Sequence, residues 1–464
     1  MSRQPHVLVI PYPAQGHITP LIKLASKIAE HGVKVTFVST EYTQAKFMAS
    51  MPKKAYDNQK SSLIRLVPIP DGIEREEDRK DPFKTRESML RVMPGCLKNL
   101  IEEINQSNNA EKISCVIADT SVGWALEVAQ KMGIAKAAAI PYGTAGLALS
   151  LHIPKLTEAG ILDAYGNTMN DGELILLSDR ILPWKRNEYP WSFPSDQNLQ
   201  KLFFGFSTNV LQTLEISDWV ICNSCYELDS ATCDLIPNLL TIGPLPASNH
   251  SDSEHFALNF WPEDITCLSW LDKQPLNSVI YVAFGSVAVL SQQQLDELAL
   301  GLESLNRPFL WVVRANLMNT SQVNFPDGFT ERVSDRGKIV EWAPQEKVLA
   351  HSSVACFLSH CGWNSTMEGL MMGAPFLCWP NSWDQYQNRN YICEAWKIGL
   401  ELSPDKNGII TREEIQRKAK MVLDDDSIKA NSLKLKEMAR KGLVEGGSSL
   451  KNFETLISQI RALG

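Results

Sequence analysis

Short runs of β-branched and apolar residues alternate with segments of helical spacing from the first residues of the chain onward. Val7–Ile10 is followed by a helical pattern over Ile22–Ala29 and then by Val33–Ser39. Further runs at Leu63–Val67, Val116–Ala118, Ala137–Ile140 and Trp219–Cys222 are again separated by longer segments, several of helix length. That rhythm predicts a parallel, doubly wound sheet. It pauses between Thr241 and Asn277, where Pro244, Pro246, Ser248, Asn249, Ser251, Ser253 and Pro262 make a polar, turn-rich stretch suited to an interdomain connection. It then restarts with Val279–Phe284, a turn at Gly285-Ser286, and a helix opening at Ser291 with Gln294 three residues on, the spacing of a capping box. Leu295, Leu298, Ala299 and Leu302 share one face of that helix, and strands are expected at Phe309–Val313, Ile339–Trp342, Ala355–Leu358 and Phe376–Trp379.

The fold class is therefore α/β, with two similar halves. The expected division is an N-terminal domain over 1–245, a linker over 246–262, a second domain over 263–445 and a C-terminal helix over 446–464 that packs back on the first domain. Ligands of such sheets sit beyond the carboxyl ends of the strands, so the cleft between the halves is the expected ligand position.

Composition narrows the function. With 53 acidic and 45 basic residues the net charge is −8, which repels nucleic acid. Ten cysteines spread through a long chain read as reduced thiols, not a disulfide framework. The apolar run before Pro11 and Pro13 is too short for a signal segment, and Ala135–Pro154 is interrupted by Lys136, Pro141, Gly143, Gly146 and His152, so no stable membrane insertion is expected. A cytoplasmic location follows as an expectation.

Two places carry candidate chemistry. Pro13-Ala14-Gln15-Gly16-His17 follows the first strand, and His17, with an ordinary pKa near 6.5, suits a general base. Asp119 ends the Val116–Ala118 run on the same sheet edge and would stabilise the imidazolium. In the second half, Ser359 to Thr366 opens a helix whose first N–H groups, with His360, Asn364 and Ser365, suit a diphosphate; Gly362 permits close backbone approach. Trp342, expected at a strand end, offers a flat face to a nucleobase. Glu368 could accept two ribose hydroxyls, and Asp384-Gln385 could bind sugar hydroxyls. Taken singly, each also fits a structural role: a turn histidine, a capped helix, a core indole, a solvated acid, a cap.

Taken together they do not. From Trp342 to Gln385 the chain reads WAPQEKVLAHSSVACFLSHCGWNSTMEGLMMGAPFLCWPNSWDQ, which resembles the signature box of plant family 1 UDP-dependent glycosyltransferases nearly residue for residue. The PAQGHITP segment, the surroundings of Asp119, Phe284-Gly285-Ser286 and Glu445-Gly446-Gly447-Ser448-Ser449 are similar to that family too, so the resemblance spans essentially the whole chain. It implies two Rossmann-like domains of GT-B type, a metal-independent hexosyltransferase with no cofactor beyond the donor co-substrate UDP-glucose, and a monomer whose partners are a UDP-sugar and a small acceptor. By resemblance, Trp342 stacks on uracil with Ala343 and Gln345 beside it, and Glu368 holds the ribose. Ser286, His360, Gly362, Asn364 and Ser365 take the diphosphate; Trp363, Asp384 and Gln385 meet the sugar, with Thr144 reaching it from the other half. His17 deprotonates the acceptor, Asp119 supports it, and attack opposite UDP gives a β-glucoside. Two positions depart from the pattern: Trp383 is bulky where a smaller residue is common, and Ala343 stands where Cys is common.

Cys222 and Cys225 have redox or zinc spacing but no second ligand pair, and Asp424-Asp425-Asp426 reads as a solvated helix end and not a metal site. A nicotinamide enzyme would need a Gly-X-Gly-X-X-Gly after the first strand, which is missing. A sugar-nucleotide-binding protein without catalysis would have no need of both His17 and Asp119. The acceptor pocket is expected around Phe83–Met89, Tyr142–Leu147 and Trp184–Phe204, whose aromatics (Trp184, Tyr189, Trp191, Phe193, Phe203, Phe204) suit a flat phenolic such as a flavonoid or phenylpropanoid, with a terpenoid as the alternative.

Overall fold

A computed structural model describes residues 4–50, 63–107, 111–170, 172, 174–245, 258–314, 317–318 and 323–464. They form two compact units, Met1–Phe260 with Gly442–Gly464, and Trp261–Lys441.

The first unit holds seven parallel strands: β1 (His6–Ile10), β2 (Lys34–Thr40), β3 (Ile64–Ile69), β4 (Cys115–Asp119), β5 (Ala135–Ile140), β6 (Trp219–Cys222) and β7 (Leu239–Thr241). Their order is β3-β2-β1-β4-β5-β6-β7. The apolar runs are strands because helices cover both faces: β1 and β4 are buried at every position. Val7 pairs with Cys115 and Ile10 with Ala118, so the carboxyl ends of β1 and β4 are level. The helix after β1 spans Gln15–Glu30 and begins well before the expected Ile22, because Pro20 sits inside it and hides its first turns from a periodicity reading. The last helix, Ser448–Ala462, belongs to this unit: Phe453, Leu456, Ile457 and Ile460 join the core on one face of the sheet. Ser449 Oγ donates to Gly243 O at 2.6 Å and Asn452 Nδ2 to Thr241 O at 2.9 Å.

Most of the expected linker, residues 246–257, lies outside the described residues. Leu258 to Phe260 are tied to the first unit by Gln15, whose Nε2 donates to Leu258 O at 2.9 Å and whose Oε1 accepts from Phe260 N at 2.9 Å.

The second unit holds β8 (Val279–Ala283), β9 (Phe309–Val312), β10 (Gly337–Val340), β11 (Val354–Ser359), β12 (Phe376–Cys378) and β13 (Gly399–Glu401), all parallel, in the order β10-β9-β8-β11-β12-β13. Each unit is thus Rossmann-like. Trp342 does not end a strand as expected; β10 stops at Val340 and the indole sits in the turn after it. Ser291 caps the helix Gln292–Ser304, accepting from Gln294 N at 3.2 Å, but the reciprocal half of the box does not form. The buried Gln294 carboxamide instead bridges both backbone groups of Ile410. Among the described residues no helix is long and apolar enough to cross a membrane.

Candidate active site

In each sheet the strand order reverses once, between β1 and β4 and between β8 and β11, and connections that leave in opposite directions open a crevice at those points. The candidate residues cluster there.

In the first unit, His17 is the third residue of the helix that follows β1, and Asp119 is the last residue of β4. Level strand ends bring them together: His17 Nδ1 lies 2.6 Å from Asp119 Oδ2. The Asp119 side chain is fully buried, whereas that of His17 is 28% exposed. Asp119 Oδ1 accepts from Ser121 N at 2.7 Å, which fixes the carboxylate while it caps the turn Thr120–Val122. With Nδ1 directed to the carboxylate, Nε2 is the nitrogen that can take a proton. The Tyr12 ring lies 5.1 Å from the imidazole; burial, and secondarily the Asp119 charge, push its phenol pKa up, so it stays neutral beside the pair.

An open cavity, whose roughly 640 Å³ of empty space includes solvent at its mouth, is lined by Tyr12, which neighbours His17, and by Thr120 and Ser121, which follow Asp119. Its walls come from Tyr12, Met89, Trp124 and Phe206, with Arg86 and Glu127 as charged members. Of the three segments expected to line an acceptor pocket, Phe83–Met89 contributes here through Arg86 and Met89. Trp184, Tyr189, Trp191 and Phe204 are buried instead. They hold a long excursion together: Trp191 stacks on Tyr189 at 5.4 Å, meets Phe204 edge-on at 5.2 Å, and donates from Nε1 to Gly166 O at 2.9 Å. Their faces are therefore covered by protein, and the aromatic walls of the cavity are residues the sequence reading did not single out. Thr144 is 1% exposed, and its hydroxyl meets Thr232 Oγ1 at 2.8 Å and Asp229 Oδ2 at 3.2 Å.

In the second unit, β8 runs into Gly285-Ser286 and β11 into the loop His360-Cys361-Gly362, which opens the helix Trp363–Met372. The His360 ring sits between two glycines. A Cβ on Gly285 would come within 2.5 Å of its Nε2, and one on Gly362 within 2.4 Å; Gly285 also has φ +64°, and Cys361 adopts +64° to make the turn. Burial, with a smaller contribution from the Arg314 charge, lowers the His360 pKa to about 4 against the partial opposition of the Ala283 backbone. At neutral pH the ring is uncharged and can donate one N–H. Gly362 caps the helix without a side-chain bond, which leaves backbone N–H groups of the first turn directed outward.

Gln345, Ser365 and Glu368 form one network: Gln345 Nε2 donates to Ser365 Oγ at 2.9 Å and to Glu368 Oε2 at 2.7 Å. Ala343 is buried just before it. Asp384 and Gln385 begin the helix Gln385–Asn390. Asn388 Nδ2 joins Asp384 Oδ2 at 2.8 Å to Cys361 O at 2.9 Å, so Asp384 and the loop His360-Cys361-Gly362 are one construction. Gln385 Oε1 accepts from the backbone of Asn381 at 2.8 Å and Ser382 at 3.2 Å, which orients its amide. Trp383, the bulky departure, takes φ +56°, an unusual conformation for a large side chain.

Three contributors escaped the sequence reading. Tyr281, inside β8, donates from its hydroxyl to Gln345 Oε1 at 3.1 Å; a tyrosine in an otherwise apolar strand needs a partner for its tip, and that was the available signal. Trp261 stacks on Trp342 with centroids 4.8 Å apart and planes at 29°, yet it fell within the stretch read as linker. Arg314, 1% exposed, lies just past β9 and donates to Ala288 O at 2.6 Å, which braces the loop that carries Ser286. The two decoys resolve simply. Cys222 and Cys225 are buried thiols with pKa values pushed up by burial, and Asp425 caps the helix Asp426–Leu443 by accepting from Ser427 N at 2.8 Å. No cluster fit to hold a metal occurs among the described residues.

Comparison with known proteins gives the family and the fold. A family model described as UDP-glucoronosyl and UDP-glucosyl transferase matches residues 7–445. UDP-glycosyltransferase 83A1 of Arabidopsis thaliana is 40% identical over 463 residues, covering 99% of this chain and 97% of the relative. Linamarin synthase 1 of Manihot esculenta is 31% identical over 478 residues, covering 99% and 97%. Among solved structures, Os79 from O. sativa in complex with UDP superposes with a TM-score of 0.80 at 28% identity, over 98% of this chain and 100% of that one. A UDP-glucosyltransferase from Polygonum tinctorium capable of glucosylating indoxyl gives 0.81 at 27%, over 100% of each.

Proposed function

The chain belongs to the UDP-glucoronosyl and UDP-glucosyl transferase family, enzymes that move a sugar from a UDP-sugar to a small acceptor, and from that premise we propose that it glucosylates a phenolic hydroxyl from UDP-glucose, without a metal and with inversion. His17 Nε2 takes the acceptor proton while Asp119 stabilises the imidazolium, a step worth about 10²–10⁴ in rate. The acceptor oxygen attacks the anomeric carbon as its bond to UDP breaks. Asp119 is sealed behind His17 and cannot itself attack the sugar, which favours one displacement over two and hence a β-product from an α-linked donor.

Negative charge grows on the leaving diphosphate. The N-terminus of Trp363–Met372 offers backbone N–H groups and a positive field end, and Ser286, His360, Asn364 and Ser365 add donors, with Gly362 keeping the backbone close. Because the His360 ring is neutral, its contribution is a hydrogen bond and the helix end supplies the field; that combination is the reason for proposing a metal-free departure. Trp342 takes the uracil with Ala343 and Gln345 alongside, Glu368 the ribose, and Trp363, Asp384 and Gln385 the glucose. Thr144, bonded inside its own unit, is left out of this set.

The observation that carries the proposal is the 2.6 Å contact between a part-exposed imidazole and a fully buried carboxylate at a sheet switch point. The phenolic acceptor is supported by the aromatic walls Tyr12, Trp124 and Phe206 beside that pair. The test is chelator-treated protein, UDP-glucose and a panel of phenols and aliphatic alcohols, with the anomeric configuration read by proton NMR. β-Glucosides of phenols are expected. An α-product, or turnover confined to aliphatic alcohols, would overturn the reading.

A further inference from the structure

The cavity beside His17 contains a cation that its own protein leaves unanswered. Arg86 lies near the start of the helix Pro82–Ser107, half-buried, and its guanidinium is held 5.1 Å from the Phe206 ring centroid. That contact restrains the fork of N–H donors without using them. Among the described residues no carboxylate comes within ion-pair distance of Arg86, although acids outnumber bases 53 to 45 in the chain. Glu127 lines the same cavity but does not pair with it; in the first turn of the helix Trp124–Lys131 its charge is supported by the helix end. The same cavity includes Tyr12, whose ring is 5.1 Å from His17. A flat acceptor lying there would have a planar donor fork on one wall and, at its Tyr12 end, the neighbouring His17 as a base for a hydroxyl.

We propose that the acceptor is an aromatic hydroxy acid whose carboxylate is read by Arg86, with the sugar placed on the hydroxyl. The inference rests on the phenolic reading given under the proposed function. A guanidinium matches a carboxylate bidentately, and beside Met89, Leu90 and Trp124 the pair is less screened than on open surface. Two charge-assisted bonds correspond to a preference of about 10-fold or more over an uncharged analogue.

The experiment compares 4-hydroxycinnamic acid with its methyl ester as acceptors for the wild type, Arg86→Gln and Arg86→Lys. The wild type is expected to favour the acid about 10-fold or more in kcat/KM, mainly through KM. Arg86→Gln brings the ratio to about one, and Arg86→Lys, which keeps charge without the fork, falls between. Ester turnover by each variant reports that it has folded, and a base-stable phenolic glucoside is the expected product. Equal use of acid and ester by the wild type, a ratio unmoved by Arg86→Gln, or a base-labile glucose ester would overturn the carboxylate assignment and leave the phenolic reading standing. Turnover of neither compound, with aliphatic alcohols accepted, would instead remove the phenolic reading and this inference with it.

Discussion

Each sheet carries one candidate histidine beside its switch point, His17 after β1 and His360 after β11, and the two rings lie in opposite surroundings. His17 follows β1, keeps 28% of its side chain exposed, and has a buried carboxylate at 2.6 Å. His360 follows β11, is enclosed by two glycines with Arg314 nearby, and has its pKa lowered to about 4, an environment that refuses a proton. Topology chose where a ligand-binding loop could open in each unit. What packs against each ring then separates them: a buried carboxylate beside His17, two glycines and the Arg314 charge beside His360.

The comparison predicts separable failures. The largest belongs to the first unit: His17→Ala should lower kcat by about 10²–10⁴ while UDP affinity, measured by calorimetry, stays close to the wild type. Asp119→Asn should fall in the same range, since the amide cannot stabilise the imidazolium. If either weakened UDP binding as much as turnover, the division of labour would be wrong.

Next in size, Gly362→Ala should strike the donor side. Its methyl would need to push the His360 ring away from a 2.4 Å approach, a strain of about 1–3 kcal/mol that should raise the Kd for UDP about 10-fold or more. A variant with wild-type UDP affinity would mean that His360 and the loop around it do not hold the diphosphate.

The third prediction concerns pH. A histidine whose folded pKa is about 4, against an ordinary 6.5, stabilises the fold fully only above pH 6.5; as pH falls towards 4 the unfolded chain takes up the proton first and that stability is lost. Between pH 7 and pH 5 the loss amounts to at most about 2 kcal/mol, less because the residue retains some contact with solvent. Urea midpoints of the wild type and His360→Asn at the two pH values should therefore converge as pH falls. Parallel curves would show that His360 is not the neutral member of the pair. The smallest effect is expected from Tyr281→Phe, which leaves Gln345 Oε1 without its donor and should raise the donor KM several-fold, for about 1 kcal/mol.

How far these features could be read beforehand depended on their range along the chain. Six of the seven strands in the first unit and five of the six in the second were visible within two residues at each end, because buried parallel strands are apolar throughout. β10 was set two residues late because Trp342 looked like strand core, and β7 and β13, three residues each, were not singled out because so short a run shows no periodicity. Most of the candidate donor residues were legible because, Ser286 and Thr144 apart, they lie within the one continuous segment from Trp342 to Gln385. The cavity walls were not, because Tyr12, Arg86, Trp124 and Phe206 come from four separate elements, and the more conspicuous aromatics at Trp184 and Trp191 turned out to be buried packing.

The linear chain by itself determined the alternation of elements, the family, and which side chains have the right chemistry, since each depends on residue type and local spacing. Only the tertiary structure decided which of those side chains meet. His17 and Asp119, 102 positions apart, close to a 2.6 Å contact because β1 and β4 are neighbours with level ends, and His360 has its pKa lowered by burial in a space that distant Gly285 leaves open. Strand order and burial arise from long-range packing, and no local pattern encodes them.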